Sequence, residues 1–386
     1  MPLLKSDGPV LVAMSGGVDS SVAAAILSRR GFDVVGVTMQ IWQESQTDPR
    51  HAGCCSLGAV EDARRVSRAL GIPHYVVNFR EEFRESVIED FVHEYASGRT
   101  PNPCVECNRT VKFDLLLSKM RELGCARIAT GHYARIRRDR ASGRLRLLRA
   151  RARDKDQSYV LYMLTQEQLA VSAFPMGELP SKAFARSLAR KLGLPVAEKP
   201  ESQDICFVAD AGGYREFLRK TRPEVFREGE VVDEAGVVVG KHSGVAGFTV
   251  GQRRGLRVSS ATGRPLYVLQ VEPQTDRVVV GEEGGLFKKQ VVFEDAHWGA
   301  IGPPDGPIRV EAKIRYNMAP QRATLVPGTA FPFKDAQSGS SVSANKDGSR
   351  KESALLEFDE PVRAVTPGQI AVAYRGQTVV AGGRIV

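Results

Sequence analysis

Cysteine is scarce in this sequence, and long apolar runs are missing. Only six cysteines occur in 386 residues, which excludes a small secreted scaffold stapled by disulfides. No apolar run approaches the roughly 18–20 residues that a membrane-spanning helix needs. The first residues, MPLLKSDGPVLVAM, lack the long apolar segment and the cleavage site of a signal peptide. We therefore expect a cytoplasmic chain with mostly reduced cysteines, in which any notable cysteine pair serves chemistry.

Acidic residues are outnumbered by basic ones. The chain has 54 Lys and Arg against 45 Asp and Glu, a formal net charge of +9 and a pI of about 9.3. The excess is concentrated between Arg135 and Lys155, where ten basic residues stand beside two acids. Such a stretch suits a polyanion such as a nucleic acid. Alternating arginines on the outer face of a solvated hairpin give the same pattern, and the residues alone leave both interpretations open.

Strand and helix patterns alternate over the first 130 residues. Apolar runs such as PVLVAM, DVVGVTM and PHYVVNF are each followed by helical spacing. This alternation predicts a doubly wound parallel sheet of the α/β class, with ligands at the carboxyl ends of its strands. The spacing of KFDLLLSKMRELG predicts a helix from Lys112. Residues 154–222 have mainly helical spacing, which predicts a helix over SYVLYMLTQEQLAVSAF, residues 158–174. From about residue 225 the chain is rich in Gly, Val and short alternating runs, which predicts all-β domains with a break near EEGGLFKK. Residues 334–352 are expected to form a flexible loop.

The segment VLVAMSGGVDSSVAA, residues 10–24, places a strand, a glycine-rich loop and a helix start in direct succession. Gly16 and Gly17 allow the backbone to approach a ligand closely, and the helix N-terminus attracts an anion. The lysine and the spacing of a Walker A loop are missing, and so is the G-x-G-x-x-G pattern. A tight turn with Ser20 as helix N-cap is the simpler alternative that these residues leave open.

The string SGGVDS, residues 15–20, resembles the pyrophosphate loop of the ATP pyrophosphatase superfamily. The resemblance implies that the loop holds the β- and γ-phosphates of ATP, and that Asp19 helps to organise Mg²⁺. It also implies that Gly36–Met39 lies beside adenine and that Gly131, in ATGHY, lines the same pocket. The ATP-contacting residues implied in this way are Ala13, Met14, Ser15, Gly16, Gly17, Val18, Asp19, Ser20, Met39 and Gly131.

Several strings along the chain occur in one order: AMSGGVDSSV, GRTPNPxxxCN, ATGHYAR, KDQSYVLY, ESxxICFV, GQRRGL and AVTPGQ. Together they resemble the tRNA-specific 2-thiouridylase family. The resemblance implies a pyrophosphate-loop domain over 1–222, a small central β domain over 223–288 and a C-terminal β-barrel over 289–386. It further implies that ATP adenylates the C2 oxygen of the wobble uridine, and that AMP and pyrophosphate are released. A small-molecule ligase of the same superfamily, such as an amide synthetase, is the alternative.

Roles for two cysteines follow from this resemblance. In the N-P-x-x-x-C-N string the cysteine before Asn is the nucleophile, here Cys107, and the I-C-F cysteine, here Cys206, carries a persulfide. A thiol with a lowered pKa suits such transfer, which proceeds by disulfide chemistry between the two cysteines. An upstream persulfide sulfur-carrier protein is the implied donor. Asn102, Pro103 and Cys104 match the family's tripeptide that touches the target base, although many members have Asp in place of Cys104.

This departure at Cys104 leaves two alternatives. In the first alternative, which we favour, Cys104 only replaces that Asp beside the base. Sulfur is then transferred by Cys107 and Cys206 alone, which we call the two-thiol mechanism. Otherwise Cys104, Cys107 and Cys206 ligate an iron–sulfur cluster with one open iron, and the same three thiolates could also take zinc. No metal site is assigned on this basis. The remaining cysteines, for which only structural places are expected, are Cys54 and Cys55 at a helix start and Cys125 in the core.

Two short stretches match RNA-contacting strings of the family. Lys155, Asp156 and Gln157 end the arginine-rich stretch, and Arg315 with Tyr316 lies in AKIRYN. A guanidinium suits a phosphate and an aromatic ring suits base stacking. The resemblance therefore implies tRNA as the partner, and neither DNA nor a membrane. An ion pair between Lys155 and Asp156, or a packed Tyr316 ring, is the structural alternative.

Overall fold

The structure is a computed structural model. It describes residues 8–42, 57–200, 205–208, 211–256, 258, 263–328 and 352–386. Two predictions fall outside this part: the place of Cys54 and Cys55 at a helix start, and all but the last residue of the flexible loop expected over 334–352. Among the described residues, no helix is long and apolar enough to cross a membrane.

Contact density divides the chain into two units. The first unit holds the described residues within 1–89, 103–214 and 377–379. The second unit holds those within 90–102, 215–376 and 380–386. The segment 90–102 is thus separated from its neighbours in sequence and belongs to the unit that contains the C-terminal half of the chain.

A five-stranded parallel sheet forms the centre of the first unit. The strands of this unit are β1 (Val10–Ala13), β2 (Val34–Gln40), β3 (His74–Asn78), β4 (Arg127–Ala129), β5 (Ala134–Arg138), β6 (Leu145–Arg149) and β7 (Ser172–Ala173). The order in the sheet is β3-β2-β1-β4-β7, with every pair parallel. The winding therefore reverses between β1 and β4, and the predicted doubly wound sheet is confirmed.

The helices that precede the β-rich part of the chain are α1 (Val18–Arg29), α2 (Leu57–Leu70), α3 (Arg80–Phe83), α4 (Glu89–Ala96), α5 (Pro103–Glu106), α6 (Leu116–Glu122), α7 (Gln166–Val171), α8 (Lys182–Lys191) and α9 (Tyr214–Thr221). Of these, α4 and α9 belong to the second unit except for their first residues, and the others belong to the first unit with the sheet. Wider π-helical turns over Arg84–Ile88 and Cys107–Leu115 connect α3 to α4 and α5 to α6. α1 owes its close packing on the sheet to a run of buried small side chains, Ala23, Ala24 and Ala25.

Two predictions about helices are wrong. The helix predicted to begin at Lys112 begins at Pro103, because proline fits the first helical turn, where its missing N–H is not needed. The stretch 158–174 was expected to be one helix. It forms a 3₁₀ turn (Ser158–Leu161) and then α7, which Thr165 and Gln168 start with a reciprocal capping box.

The arginine-rich stretch is a hairpin, as its alternation predicts. β5 and β6 are antiparallel, with Ala134 opposite Arg149 and Arg138 opposite Leu145. The side chains of Leu145 and Leu147 are buried on one face. This outcome confirms the hairpin and leaves its contact with RNA a prediction.

A small mixed sheet opens the β-rich part of the second unit. Its strands are β8 (Gly229–Val232), β9 (Val238–His242), β10 (Tyr267–Glu272) and β11 (Arg277–Gly281). Their order is β10-β11-β8-β9, and the β11–β8 pair is parallel while the others are antiparallel. Alternate valines, among them Val231, Val268 and Val278, point into a separate apolar core.

A six-stranded antiparallel barrel follows. Its strands are β12 (Phe287–Trp298), β13 (Ile308–Lys313), β14 (Gln321–Gly328), β15 (Ser353–Arg363), β16 (Ile370–Arg375) and β17 (Thr378–Ile385). They run in the order β12-β15-β14-β13-β16-β17, and pairing of β12 with β17 closes the barrel. The 3₁₀ turn Glu283–Leu286 separates it from the small sheet, at the break that the sequence predicts.

Candidate functional site

The loop that follows β1 has a conformation that its glycines make possible. Gly16 lies at φ +66°, and a Cβ atom there would be 2.2 Å from the carbonyl oxygen of Ala59. Gly17 is the N-cap of α1, and no side chain caps the helix at that residue. The Ser15 N–H donates to Ser20 Oγ at 3.1 Å, and Ser20 Oγ donates to the Gly17 carbonyl at 3.2 Å. Ser20 therefore lies inside α1 and holds the loop over a helix N-terminus, an arrangement that binds anions.

Gly131 brings the end of a second strand to the same place. It follows β4 and approaches α1 so closely that a Cβ atom would be 2.7 Å from the Ser20 nitrogen. β1 and β4 are neighbours on either side of the reversal in winding. Ligands of doubly wound sheets bind at such a reversal, outside the carboxyl ends of the strands. The structure thus brings Gly131 and the SGGVDS loop together, while their contact with ATP stays a prediction.

The end of β2 lies beside the start of the loop. The Met14 N–H donates to the Val37 carbonyl at 2.7 Å, and Thr38 Oγ1 donates to the Met14 carbonyl at 2.7 Å. Gly36 leaves room for the Met14 side chain, since a Cβ atom there would be 2.8 Å from the sulfur. Met14 and Met39 therefore stand on adjacent strand ends, as a shared adenine pocket requires.

The carboxylate of Asp19 is held by two donors. The Tyr133 hydroxyl donates to one oxygen at 2.8 Å, and Lys182 Nζ donates to the other at 2.6 Å. The Lys182 side chain is only 11% exposed, so the pair is less screened by solvent than a surface ion pair. Sequence reasoning missed both partners. Tyr133 stands in the ATGHYAR string, but nothing in the local sequence around Lys182 marks it as a neighbour of Asp19.

A second lysine contacts the loop itself. Lys199 Nζ donates to the Gly16 carbonyl at 3.1 Å and to Asp62 at 2.6 Å. Burial raises the pKa of Asp62, but the hydrogen bonds from Lys199 and Arg65 outweigh burial and lower its pKa below the ordinary value. Asp62 is therefore ionised near neutral pH. Lys182 and Lys199 thus stand at the loop, each paired with an acidic side chain, Asp19 and Asp62. The pairs carry no net charge, so the N–H groups and the dipole at the N-terminus of α1 are what favours an anion there.

Cys104 and Cys107 lie one turn apart in the helical segment 103–122. Cys104 is exposed, whereas Cys107 is buried with 8% of its surface exposed. The neighbouring Asn108 is buried as well, and its Nδ2 donates to the Val160 carbonyl at 3.0 Å. This bond joins the N-P-x-x-x-C-N string to the KDQSYVLY string. It fixes the rotation of the helix and thereby keeps the Cys107 thiol inside the first unit.

Cys206 lies half-buried in a short described stretch, Ile205–Val208, between two stretches that the structure does not describe. The next residue, Phe207, packs edge-on against Trp42 at 6.1 Å and Phe83 at 5.8 Å between ring centroids. Such aromatic pairs add to the burial of the ring. They anchor the backbone beside Cys206 within the first unit.

The described thiols form no metal-ligand set. No disulfide joins the four cysteines in the described ranges, which are Cys104, Cys107, Cys125 and Cys206. Nor do three or more His, Cys, Asp or Glu side chains in those ranges converge as ligands for a metal ion. An iron–sulfur cluster or a structural zinc needs such convergence, so the residues as placed do not fit the cluster alternative. Cys125 is buried as predicted, and burial raises the pKa of its thiol.

Two of the predicted RNA-contacting residues have structural hydrogen bonds. The Asp156 carboxylate accepts from the Ser158 hydroxyl at 2.9 Å and from the Ser158 N–H at 3.2 Å. Gln157 Oε1 accepts from the Tyr133 N–H at 3.0 Å. These bonds hold the turn that carries Lys155 against the residue that binds Asp19. An RNA contact of this turn stays a prediction.

Arg315 and Tyr316 lie between β13 and β14. Arg315 Nη2 donates to the carbonyl of Arg363, which fixes the guanidinium at the start of the turn after β15. Tyr316 is 37% exposed, and Lys313 Nζ lies 5.5 Å from the centroid of its ring. The ring is therefore not a core residue. An exposed ring beside cations suits a nucleic acid, although the contact itself is not yet tested.

Three family models match the sequence in succession. The model described as tRNA methyl transferase HUP domain matches residues 8–210. The one described as tRNA methyl transferase PRC-barrel domain matches residues 215–282. The one described as Aminomethyltransferase beta-barrel domain matches residues 330–385.

Curated relatives resemble the chain over nearly its full length. The tRNA-specific 2-thiouridylase MnmA of Heliobacterium modesticaldum is 48% identical over 98% of this chain and 92% of its own. The protein of that name from Clostridioides difficile is 43% identical, and that from Carboxydothermus hydrogenoformans is 45% identical, each over 97% of both chains. The chain therefore belongs to the tRNA-specific 2-thiouridylase family.

Proposed function

We propose that this protein is an ATP-dependent enzyme that replaces the C2 oxygen of the tRNA wobble uridine with sulfur. The observation that carries the proposal is the SGGVDS loop, folded over the start of α1 with Asp19, Lys182 and Lys199 around it, in a chain of this family. The loop accounts for the use of ATP. The cysteines of the two motif strings account for the delivery of sulfur.

The first step makes the C2 oxygen a leaving group. The C2 oxygen attacks the α-phosphorus of ATP, the bond to the β-phosphate oxygen breaks, and pyrophosphate leaves. Negative charge then develops at the leaving oxygen. The N-terminus of α1 stabilises that charge, and the ammonium groups of Lys182 and Lys199, which Asp19 and Asp62 hold at the loop, donate hydrogen bonds to it.

The second step delivers sulfur. The terminal sulfur of a persulfide on Cys206 attacks C2, and AMP leaves with the former C2 oxygen. The Cys107 thiolate then attacks the Cys206 sulfur, which breaks the sulfur–sulfur bond and releases the 2-thiouridine. The product of this step is a disulfide between Cys107 and Cys206, which an external thiol reduces before the next turnover.

Mg²⁺ fits the donor set at the loop, because the Asp19 carboxylate is fixed there by Tyr133 and Lys182. When bound, the ion would neutralise charge on the triphosphate. The described residues hold no comparable set for an iron–sulfur cluster, and no step is assigned to one.

The partners follow from the chemistry. The substrate is tRNA, in keeping with the net charge of +9, and the donor is a persulfide-bearing sulfur-carrier protein. The reaction requires neither DNA nor a membrane. We place it in the cytoplasm, where mature tRNA is available.

Mass spectrometry of nucleosides tests this function. The protein is incubated with ATP, Mg²⁺, a persulfide donor, a dithiol that reduces the Cys107–Cys206 disulfide, and tRNA that lacks the modification. We expect 2-thiouridine at the wobble position, together with pyrophosphate release that depends on the tRNA. Pyrophosphate release at the same rate with and without tRNA, with the nucleosides unchanged, would instead support a small-molecule ligase.

The contact of Arg315 with RNA is tested by the salt dependence of tRNA binding. Arg315→Ala is expected to weaken binding and to reduce the slope of log K against log salt by about one unit, because one phosphate contact is lost. ATP binding should not change. The matched control is Arg309→Ala on β13, since Arg309 is already neutralised by Asp359 at 2.6 Å. An unchanged slope for Arg315→Ala would place Arg315 away from the RNA.

A further inference from the structure

The GQRRGL string has no part in the chemistry above, yet it forms a loop that hydrogen bonds hold in one shape. The Gly251 N–H donates to the Val268 carbonyl at 2.8 Å, and the Val268 N–H donates to the Gln252 carbonyl at 2.9 Å. The Gln252 side chain closes the loop, because its Nε2 donates to the Arg254 carbonyl at 2.9 Å and its Oε1 accepts from the Thr249 N–H at 3.3 Å. All these residues belong to the second unit.

Both ends of the loop are anchored in the apolar core of the small sheet. Phe248 precedes the string and Leu256 ends it, and both side chains are buried in that core. The residues between them are therefore held from two sides as well as by the Gln252 side chain. A ligand that binds such a loop loses little affinity to the ordering of the backbone.

The two arginines in the middle of this loop are available to a ligand. Arg253 and Arg254 are both exposed, and in the described part of the chain neither guanidinium has an ion pair or a hydrogen bond. Arg277, on the same small sheet, is by contrast paired with Glu230 at 3.4 Å. Two adjacent guanidinium groups without a counter-charge attract an anion. Their planar N–H groups match the oxygens of a phosphate.

The loop lies beside the residues that hold Arg315. Gly251 lies at φ +87°, and a Cβ atom there would be 2.8 Å from the Ala364 Cβ, so only glycine allows the backbone to pack this closely on Ala364. The preceding residue, Arg363, accepts a hydrogen bond at its carbonyl from Arg315 Nη2. An RNA contact is already expected for Arg315 and Tyr316. The GQRRGL and AKIRYN strings, which are distant in sequence, thus come together in the second unit.

We propose that Arg253 and Arg254 bind the phosphate backbone of the tRNA, beside the contact expected at Arg315. The inference rests on the proposed function and adds a tRNA contact in the second unit. Contacts to phosphates position a nucleic acid without reading its bases, so the site suits any tRNA that the enzyme accepts. An acidic surface of the sulfur-carrier protein is the other possible ligand. The exposed ring of Tyr316 nearby favours RNA, because bases stack on such rings.

The salt dependence of tRNA binding tests this site. Arg253→Ala and Arg254→Ala should each reduce the slope of log K against log salt by about one unit, and the double variant by about two, because each loses one phosphate contact. At about 0.1 M salt, the double variant should bind tRNA roughly thirtyfold to a hundredfold more weakly. Arg315→Ala added to the double variant should reduce the slope by about one unit more. Arg253→Lys with Arg254→Lys should keep the slope of the wild type, since the charges remain.

The matched control is Arg277→Ala, which removes the same charge from the small sheet, at a position that Glu230 already neutralises. Its slope should equal that of the wild type. Wild-type slopes in the Arg253 and Arg254 variants would overturn the proposal. If those slopes come with a raised KM for the persulfide-donor protein, the ligand is an acidic protein surface instead. Weaker binding at an unchanged slope, together with a lower melting temperature, would also overturn the proposal, because it marks a merely structural loop.

Failure of this site and failure of the proposed function are distinguishable, because binding is measured without turnover. A wild type that makes 2-thiouridine, with variants that keep its salt slope, refutes the phosphate site alone. A wild type that binds tRNA with the expected slopes but makes no 2-thiouridine refutes the proposed function and supports the phosphate site.

Discussion

Asp19→Asn is expected to lower tRNA-dependent pyrophosphate release at least about a hundredfold, because metal-assisted charge stabilisation is worth several kcal/mol. The asparagine side chain has the same shape as aspartate, and it can still accept the hydrogen bond from Tyr133. It loses the negative charge that a magnesium ion needs. Asp19→Ala is a less clean test, since it leaves the nearly buried Lys182 without its carboxylate and destabilises the fold as well. Pyrophosphate release and thermal unfolding are measured together.

Two controls separate the metal role of Asp19 from a structural one. Tyr133→Phe removes a hydrogen bond to Asp19 but keeps the charge, so the rate should fall no more than about fivefold. Asp359→Asn makes the same change of charge at an exposed carboxylate in the second unit, which is paired with Arg309, and should have no effect. If Asp19→Asn releases pyrophosphate at the wild-type rate, the assignment of the phosphate loop is wrong. A loss in Tyr133→Phe as large as in Asp19→Asn would indicate that Asp19 only supports the fold.

The fold could be predicted where apolar residues form a run or alternate with polar ones. Continuous apolar runs predict β1, β2 and β3, and the alternation of arginine with apolar residues predicts the hairpin β5–β6. β7 could not be predicted, because its two residues, Ser172 and Ala173, carry no pattern, and pairing with β4 alone makes them a strand. The helix expected across 158–174 is wrong for a related reason. Tyr159, Leu161 and Tyr162 are buried on every side, so the run is apolar without having a helical face.

The site could be predicted where its residues are close together in the sequence. Ser15, Gly17 and Ser20 are joined by hydrogen bonds and lie within six consecutive positions. The SGGVDS string therefore includes all the residues that shape the loop from within. Lys182 and Lys199 reach the same loop from more than 160 positions away, and a lysine on a helix or in a loop is usually a solvated surface residue. Gly251 stands in a string that marks the family, yet Ala364, on which it packs, is far away in the sequence. Only the folded chain shows what these residues contact.

Cys107→Ser and Cys206→Ser are each expected to lower thiolation at least about a thousandfold, because each removes a sulfur that forms a bond in the reaction. tRNA-dependent pyrophosphate release should remain, since the adenylation step uses neither thiol. The matched control is Cys125→Ser, a buried thiol outside the motif strings, which should keep its activity. Nucleoside mass spectrometry measures thiolation, and a pyrophosphate assay measures the adenylation of the uridine. Thiolation by Cys107→Ser at the wild-type rate would exclude Cys107 as the nucleophile.

Cys104 decides between the two-thiol mechanism and a cluster. Its thiol is exposed while Cys107 is buried, and no three ligands converge in the described residues, so we expect Cys104→Asp to keep much of the activity. Under the cluster alternative, loss of Cys104 would weaken iron binding and thiolation together. Anaerobic reconstitution with iron and sulfide, followed by iron content, visible absorption and thiolation, separates the two. Iron-free protein that thiolates tRNA with a persulfide donor excludes the cluster, whereas thiolation that requires bound iron and disappears in Cys104→Asp excludes the two-thiol mechanism.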